Sequence, residues 1–231
     1  MKIIYVIPFI LLSCQPISTI AVNYNGAKLQ KVKGFNEIYI ENSTDFSQAS
    51  LYNKDKKMGM SGYNRMGRSY FTGPLQSTDD IKRAASALGS DAVIRLYNGD
   101  DQKKDPENVK QACIFYISPR GILNNWDVYS KLWNSGNGIN PENKQAFAAI
   151  YAQVWGLSLP AKLQTSPPFP KIPDSELKKL RSKHQESVIN AYPKASPKKT
   201  NKPNIAPKPN IAPKSKDGFD DIMDLISPMG L

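Results

Sequence analysis

The chain has 231 residues, with 31 Lys and Arg against 20 Asp and Glu, one His and two Cys. That length suits one compact domain with appendages, and 40% apolar residues is enough for a core, which excludes wholesale disorder. Two cysteines exclude a disulfide scaffold, and a single histidine excludes any metal site built on two imidazoles.

The first residues are MKIIYVIPFILLSC: one Lys, an apolar run over residues 3–12, then Ser13-Cys14. An apolar run of about ten residues is too short to cross a bilayer as a helix but has the size of a signal-peptide h-region. Leu11-Leu12-Ser13-Cys14 resembles the lipobox of bacterial lipoproteins. The resemblance implies removal of residues 1–13, a diacylglycerol on the Cys14 thiol and a fatty acid such as palmitate on its new amine. Cys14 is then the lipidation site, and acyl chains hold the protein to a membrane without a spanning helix. Gln15 in place of Asp resembles lipoproteins sorted to an outer membrane, which implies a periplasm-facing protein of the cell envelope. The alternative is an ordinary signal peptide cut after Thr19-Ile20-Ala21, which gives a secreted, soluble protein. Residues 14–33 read as a tether.

A globular domain is expected over residues 34–160. Residues 36–41 alternate as a short strand. Residues 55–67, with three glycines and basic residues, read as a mobile loop, and residues 68–72 as a second strand closed by Gly73-Pro74. Ser77 is a good N-cap, Asp79 and Asp80 face the positive helix end, and Ile81, Ala84, Ala85 and Leu88 form one apolar stripe that ends at Gly89. Residues 92–97 and 112–117 are strands, joined by a charged turn over 98–108. Ile122, Trp126, Tyr129 and Trp133 share one face of a short helix. A second helix starts at Asn140-Pro141, stops at Gly156 and carries Phe147, Ile150, Tyr151 and Val154 on its stripe. The expected fold is α+β: a small, mainly antiparallel sheet with a helix on one face, then two short helices and a disordered Pro/Lys-rich tail.

Met66-Gly-Arg-Ser-Tyr-Phe-Thr-Gly-Pro, the capped helix, and Leu88-Gly-Ser-Asp-Ala-Val93 together resemble a recurrent module of small bacterial lipoproteins. The module's pattern is approximately G-x-S-x-F-x-G, a helix, and a GAD-x-V turn into a strand; Ser90 stands where that pattern has Ala. The resemblance covers about residues 59–118 and implies a small α/β sheet domain without assigned catalytic residues.

Residues 161–216 hold 13 basic residues and three acidic ones, and 12 of the 18 prolines lie at or after residue 160. This stretch is expected to be a basic linker, with an isolated helix over 176–189 and the repeat Asn204-Ile-Ala-Pro-Lys-Pro, Asn210-Ile-Ala-Pro-Lys as an extended spacer. Residues 192–216 reach about 75 Å when extended. The charge of +11 therefore belongs largely to a tail that suits an anionic envelope polymer, and export argues against nucleic acid. Residues 217–231 carry four Asp and no base, and Phe219, Ile222, Met223 and Ile226 make one apolar face. This short amphipathic segment is a candidate partner-binding element, either in trans or packed back on its own domain.

Catalytic constellations are weak. His184 lies in the expected tail, far from any nucleophile, and Ser69 lacks the second glycine of a nucleophile elbow. Asp79/Asp80, Asp100/Asp101 and Asp105/Glu107 are carboxylate pairs that capping and solvated turns explain. Cys113 reads as a small buried hydrophobe. Tyr63, Arg65, Arg68, Tyr70 and Phe71 mix aromatic and cationic groups able to grip sugars or phosphates. The expectation is a non-enzymatic binding or assembly component of the envelope, of the kind found in a secretion or other envelope complex, with no catalytic residues and no cofactor or metal. Its anchor is Cys14, its partners are envelope proteins, and Trp126 and Trp133 join the segment 217–231 as candidate contact residues. The alternative is an envelope hydrolase acting on cell-wall material through carboxylates.

Overall fold

The computed structural model describes residues 19–29, 37–133, 141–166 and 168–192. Cys14, the apolar run before it, the spacer repeat and the segment 217–231 lie outside the described residues.

Five strands form one sheet: β1 (Tyr24–Gly26), β2 (Tyr39–Ser43), β3 (Asn64–Gly73), β4 (Ala92–Tyr97) and β5 (Val109–Ile117), in the order β1-β3-β5-β4-β2. β5 pairs antiparallel with both β3 and β4, β1 pairs antiparallel with β3, and β2 runs parallel to β4. The fold is α+β and the sheet is mainly antiparallel.

Because β5 sits between β3 and β4, the helices that lead into those strands must cross the sheet. α2 (Gln48–Met60) joins β2 to β3, and α3 (Thr78–Leu88) joins β3 to β4. They cover opposite faces. On the α3 face, Ile81, Ala85 and Leu88 pack with Val93, Cys113, Phe115 and Ile117. On the α2 face, Met58 packs with Ala92, Ile94, Leu96, Ile114 and Tyr116. The expected helix on one face is α3, and α2 covers the other face in addition. Near-continuous burial along β4 and β5 is the pattern of strands covered on both sides.

The capping logic of α3 is realised in detail. Ser77 Oγ accepts from Asp80 N at 3.1 Å, Asp79 and Asp80 occupy the first turn, and Gly89 closes the helix at φ +81°. Ser90, the departure from the lipoprotein-like pattern, is fully buried, and its hydroxyl donates to Tyr116 O at 2.7 Å. The charged turn after β4 contains one short helix, α4 (Gly99–Lys104), capped by the Asn98 side chain.

Three expectations are corrected. The tether over 14–33 does not hold for residues 19–29. There α1 (Thr19–Val22) buries Ile20, Ser69 Oγ donates to Ile20 O at 3.0 Å, and β1 extends the sheet. Over 55–67 there is no loop: the glycines fall in separate elements, Gly59 in α2, Gly62 in the turn after it and Gly67 in β3. The helix of Ile122 and Trp126 is two helices, α5 (Pro119–Asn124) and α6 (Trp126–Trp133), broken at Asn125.

The domain also does not end at residue 160. After α7 (Pro141–Val154), the chain wraps back and forms α8 (Asp174–Ala191), which packs on α2 and α7. Gly59 makes that approach possible, because a Cβ there would meet Val188 Cγ1 at 3.0 Å. At the far end of α8, the Tyr192 hydroxyl donates to Asp55 Oδ2 at 2.5 Å. The same buried carboxylate accepts from Tyr116 at 2.8 Å and from Arg65 at 3.0 Å. Burial and the Asp55 acceptor both hold the Tyr116 and Tyr192 phenols protonated, well above the ordinary tyrosine range.

Removing a buried carboxylate leaves its donors without an acceptor. Asp55→Ala is expected to destabilise the chain by about 3 kcal/mol, and Tyr192→Phe by about 1 kcal/mol, in urea unfolding followed by circular dichroism. An Asp55→Ala midpoint equal to the wild type would show that α8 does not depend on this contact.

Candidate functional site

The residues singled out from sequence do not converge on one place. Trp126 is 3% exposed and belongs to the core beside Tyr129, so it offers no contact surface. Trp133 falls in the last turn of α6, and its side chain lies outside the described residues. Tyr63 packs under α2, Arg65 is held by Asp55, Arg68 lies over the Tyr70 ring at 5.3 Å, and Phe71 packs against the α3-side core. Arg65, Arg68 and Tyr70 stand opposite Tyr116, Ile114 and Ala112 of the α2-side core, whereas Phe71 lies on the other face of the sheet. Asp80 is bound by Ser77 and Arg83, which hold its carboxyl below the usual range, while Asp100 and Asp101 sit in the first turn of α4. Asp105 accepts from Glu107 N and the Asn108 side chain. Cys113 is fully buried, and burial pushes its thiol up to about 12. Among the described residues, no group of three His, Cys, Asp or Glu side chains is placed to hold a metal ion.

His184 is the largest displacement from expectation. It is 1% exposed rather than part of a solvated tail. Its Nε2 lies 3.0 Å from Gly59 O, which fixes that nitrogen as the protonated one, and its ring stands edge-on to Trp155 at 5.5 Å. Nδ1 has no partner among the described residues. Burial depresses the imidazole below its ordinary value of 6.5 against the smaller opposing effect of the Gly59 carbonyl. Arg181 completes the seam, donating to Val154 O and stacking on the other ring system at 5.7 Å from the Trp155 centroid.

Toward the start of α8, a cleft of about 430 Å³ lies between α7, the chain that follows it and Leu177 of α8. The floor is α7, where Ala149 and Ala152 are small enough to leave space. Leu157, Leu159 and Phe169 line the returning chain, and Leu177 lines α8. Gln153 fastens that chain: its Nε2 donates to Pro170 O at 3.1 Å and its Oε1 accepts from Ile172 N at 2.7 Å. Prolines at 168, 170 and 173 stiffen the segment and remove backbone donors from it. Of the lining side chains only Lys171 is charged, at the exposed rim.

The lining contains no carboxylate, imidazole or thiol, and its polar side chains are Gln153, Gln164, Thr165 and Lys171. It can bury apolar side chains of an extended or helical segment and offer a cation at its edge. Its volume falls within the range of about 300–1,000 Å³ typical of ligand sites. The cleft was not legible from sequence because its two walls come from a stretch that composition assigns to a linker. The nearest signal is the apolar spacing Leu157, Leu159, Leu163 before the proline run.

No protein-family model, curated protein or solved structure matches the chain.

The seam has a pH dependence with a definite sign. A buried neutral imidazole whose folded value lies below 6.5 binds fewer protons than the unfolded chain in the interval between the two values. Its contribution to stability is therefore complete above the unfolded value and lost as pH falls through it. Between about pH 7 and about pH 5 the wild type should lose urea stability relative to His184→Gln, which keeps a donor for Gly59 but does not titrate. Parallel curves would assign the acid sensitivity to other groups.

Proposed function

We propose that this protein is a lipid-anchored component of the bacterial cell envelope, held through Cys14, that binds a protein segment in the cleft between α7 and α8 and catalyses no reaction. Leu11-Leu12-Ser13-Cys14 supports the anchor. The chemistry of the cleft, largely apolar with one rim cation and no carboxylate, imidazole or thiol in its lining, supports the binding role.

The observation that carries the choice of processing site is the burial of Ile20. Cleavage after Ala21 would remove a fully buried core side chain and the carbonyl that accepts from Ser69. Cleavage before Cys14 keeps both. Only residues 15–18 then separate the anchor from α1, a span of at most about 17 Å when extended. The folded body therefore sits against the membrane surface instead of being lifted away from it. No helix among the described residues is long and apolar enough to cross a membrane. Gln15 supports an outer-membrane position facing the periplasm, and the basic residues after Tyr192 suit anionic envelope polymers there.

Cells expressing the full chain and fed a labelled fatty acid test this reading. The wild type should incorporate label and fractionate with membranes, whereas Cys14→Ser should incorporate none. An unlabelled wild type whose mature chain begins at Val22 would sink the anchor.

A further inference from the structure

The cleft presents apolar side chains to solvent at the edge of a domain whose own chain continues for 39 residues past the last described residue, Tyr192. We propose that the resident occupant of this cleft is the chain's own segment 217–231, whose Phe219, Ile222, Met223 and Ile226 enter it, and that an external partner binds by displacing that segment. The proposal rests on the cleft's being a peptide-binding surface and is independent of the anchor at Cys14.

Three features select this occupant. The first is pattern: the four apolar residues fall at i, i+3, i+4 and i+7, the spacing with which a short helix fills a groove. The second is charge. The segment carries Asp217, Asp220, Asp221 and Asp224 and no base, while the cleft carries Lys171 and no acid. On α8 the turns beside Leu177 carry acids, Asp174 and Glu176, as well as lysines, so Lys171 is the cation that the cleft itself offers. The third is reach. From Leu177 to Tyr192 the helix covers about 22 Å, so the connection must return at least that far. Residues 193–216 behave as a chain with a root-mean-square span of roughly 25–30 Å if flexible and about 75 Å if extended. A linker matched to its span gives an effective concentration in the millimolar range. That is enough to seat a segment whose free affinity is weak.

The test uses the full chain with Phe169, in the cleft, replaced by photoreactive p-benzoylphenylalanine, irradiated in cells and analysed by mass spectrometry of the cross-linked peptides. A mixture of isotopically light and heavy protein, irradiated after purification, distinguishes links within one chain from links between copies. The expected result is a cross-link from position 169 to residues 217–231 of the same chain. Lys171→Glu should lower its yield about threefold, the scale of one exposed ion pair, and Asp220→Lys with Asp221→Lys should restore it. A cross-link to 217–231 of another copy, or to a different protein with none to 217–231, overturns the proposal while keeping the cleft as a binding surface. Absence of any cross-link overturns both.

Discussion

The buried carboxylate of Asp55 is the constraint around which the rest of this structure is arranged. A charge taken out of water is tolerated only where donors surround it, and here they arrive from three directions: Arg65 on β3, Tyr116 on β5 and Tyr192 beyond α8. Arg65 is ten residues from Asp55, across the turn from α2 into β3, but Tyr192 is 137 residues away. Satisfying Asp55 therefore fixes the place where α8 ends. With Tyr192 pinned at one end and Pro173 at the start, the helix has one course available, along α2 and α7.

That course has consequences at each turn of α8. At Val188 and His184 the helix reaches α2 where the missing side chain of Gly59 lets the backbones close, and His184 Nε2 takes up the Gly59 carbonyl. At Arg181 it satisfies the last carbonyl of α7. At Leu177 the contact with α7 opens, since Ala149 and Ala152 are too small to fill the space, and the cleft begins there. The cleft is thus a product of α8 docking rather than an independent loop feature. Loosening Asp55 or charging His184 acts on its wall from a distance.

The sheet was largely legible in the sequence. The capped helix from Thr78 to Leu88, the strand Ala92–Tyr97 and the stop at Gly89 follow from local rules, and the α+β class follows with them. What escaped was set by contacts between distant residues. A stretch with Lys56, Lys57, Gly59 and Gly62 looks solvated until Met58 and Gly59 are seen packed from opposite sides. Ile20 and Tyr24 sit among polar residues that suggest a tether, yet β3 has a free edge that Tyr24–Gly26 completes. Likewise α8, rich in Lys and bounded by prolines, has a composition that predicts a linker, because only three of its side chains, Leu180, His184 and Val188, are buried. A helix that uses a narrow buried stripe leaves little trace in composition.

Moving the boundary of the folded body to Tyr192 also changes what the charge of the chain means. Six of the 13 basic residues counted between 161 and 216 lie on folded structure, at Lys162, Lys171, Lys178, Lys179, Arg181 and Lys183. All three acidic residues of that stretch, Asp174, Glu176 and Glu186, lie on α8 as well, so most of the excess positive charge remains in the chain beyond Tyr192. A tethered segment with a dissociation constant equal to its effective concentration fills its site half the time and weakens a competing partner only about twofold. Gating the cleft requires an affinity at least tenfold better than that, about 1.4 kcal/mol more binding free energy. In the proposed docking the apolar face of the segment supplies the basic hold, and pairing of its aspartates with Lys171 at the rim sets how far the balance is shifted. Ionic strength, which screens exposed pairs but leaves apolar burial intact, is then the variable that opens the cleft without unfolding the domain.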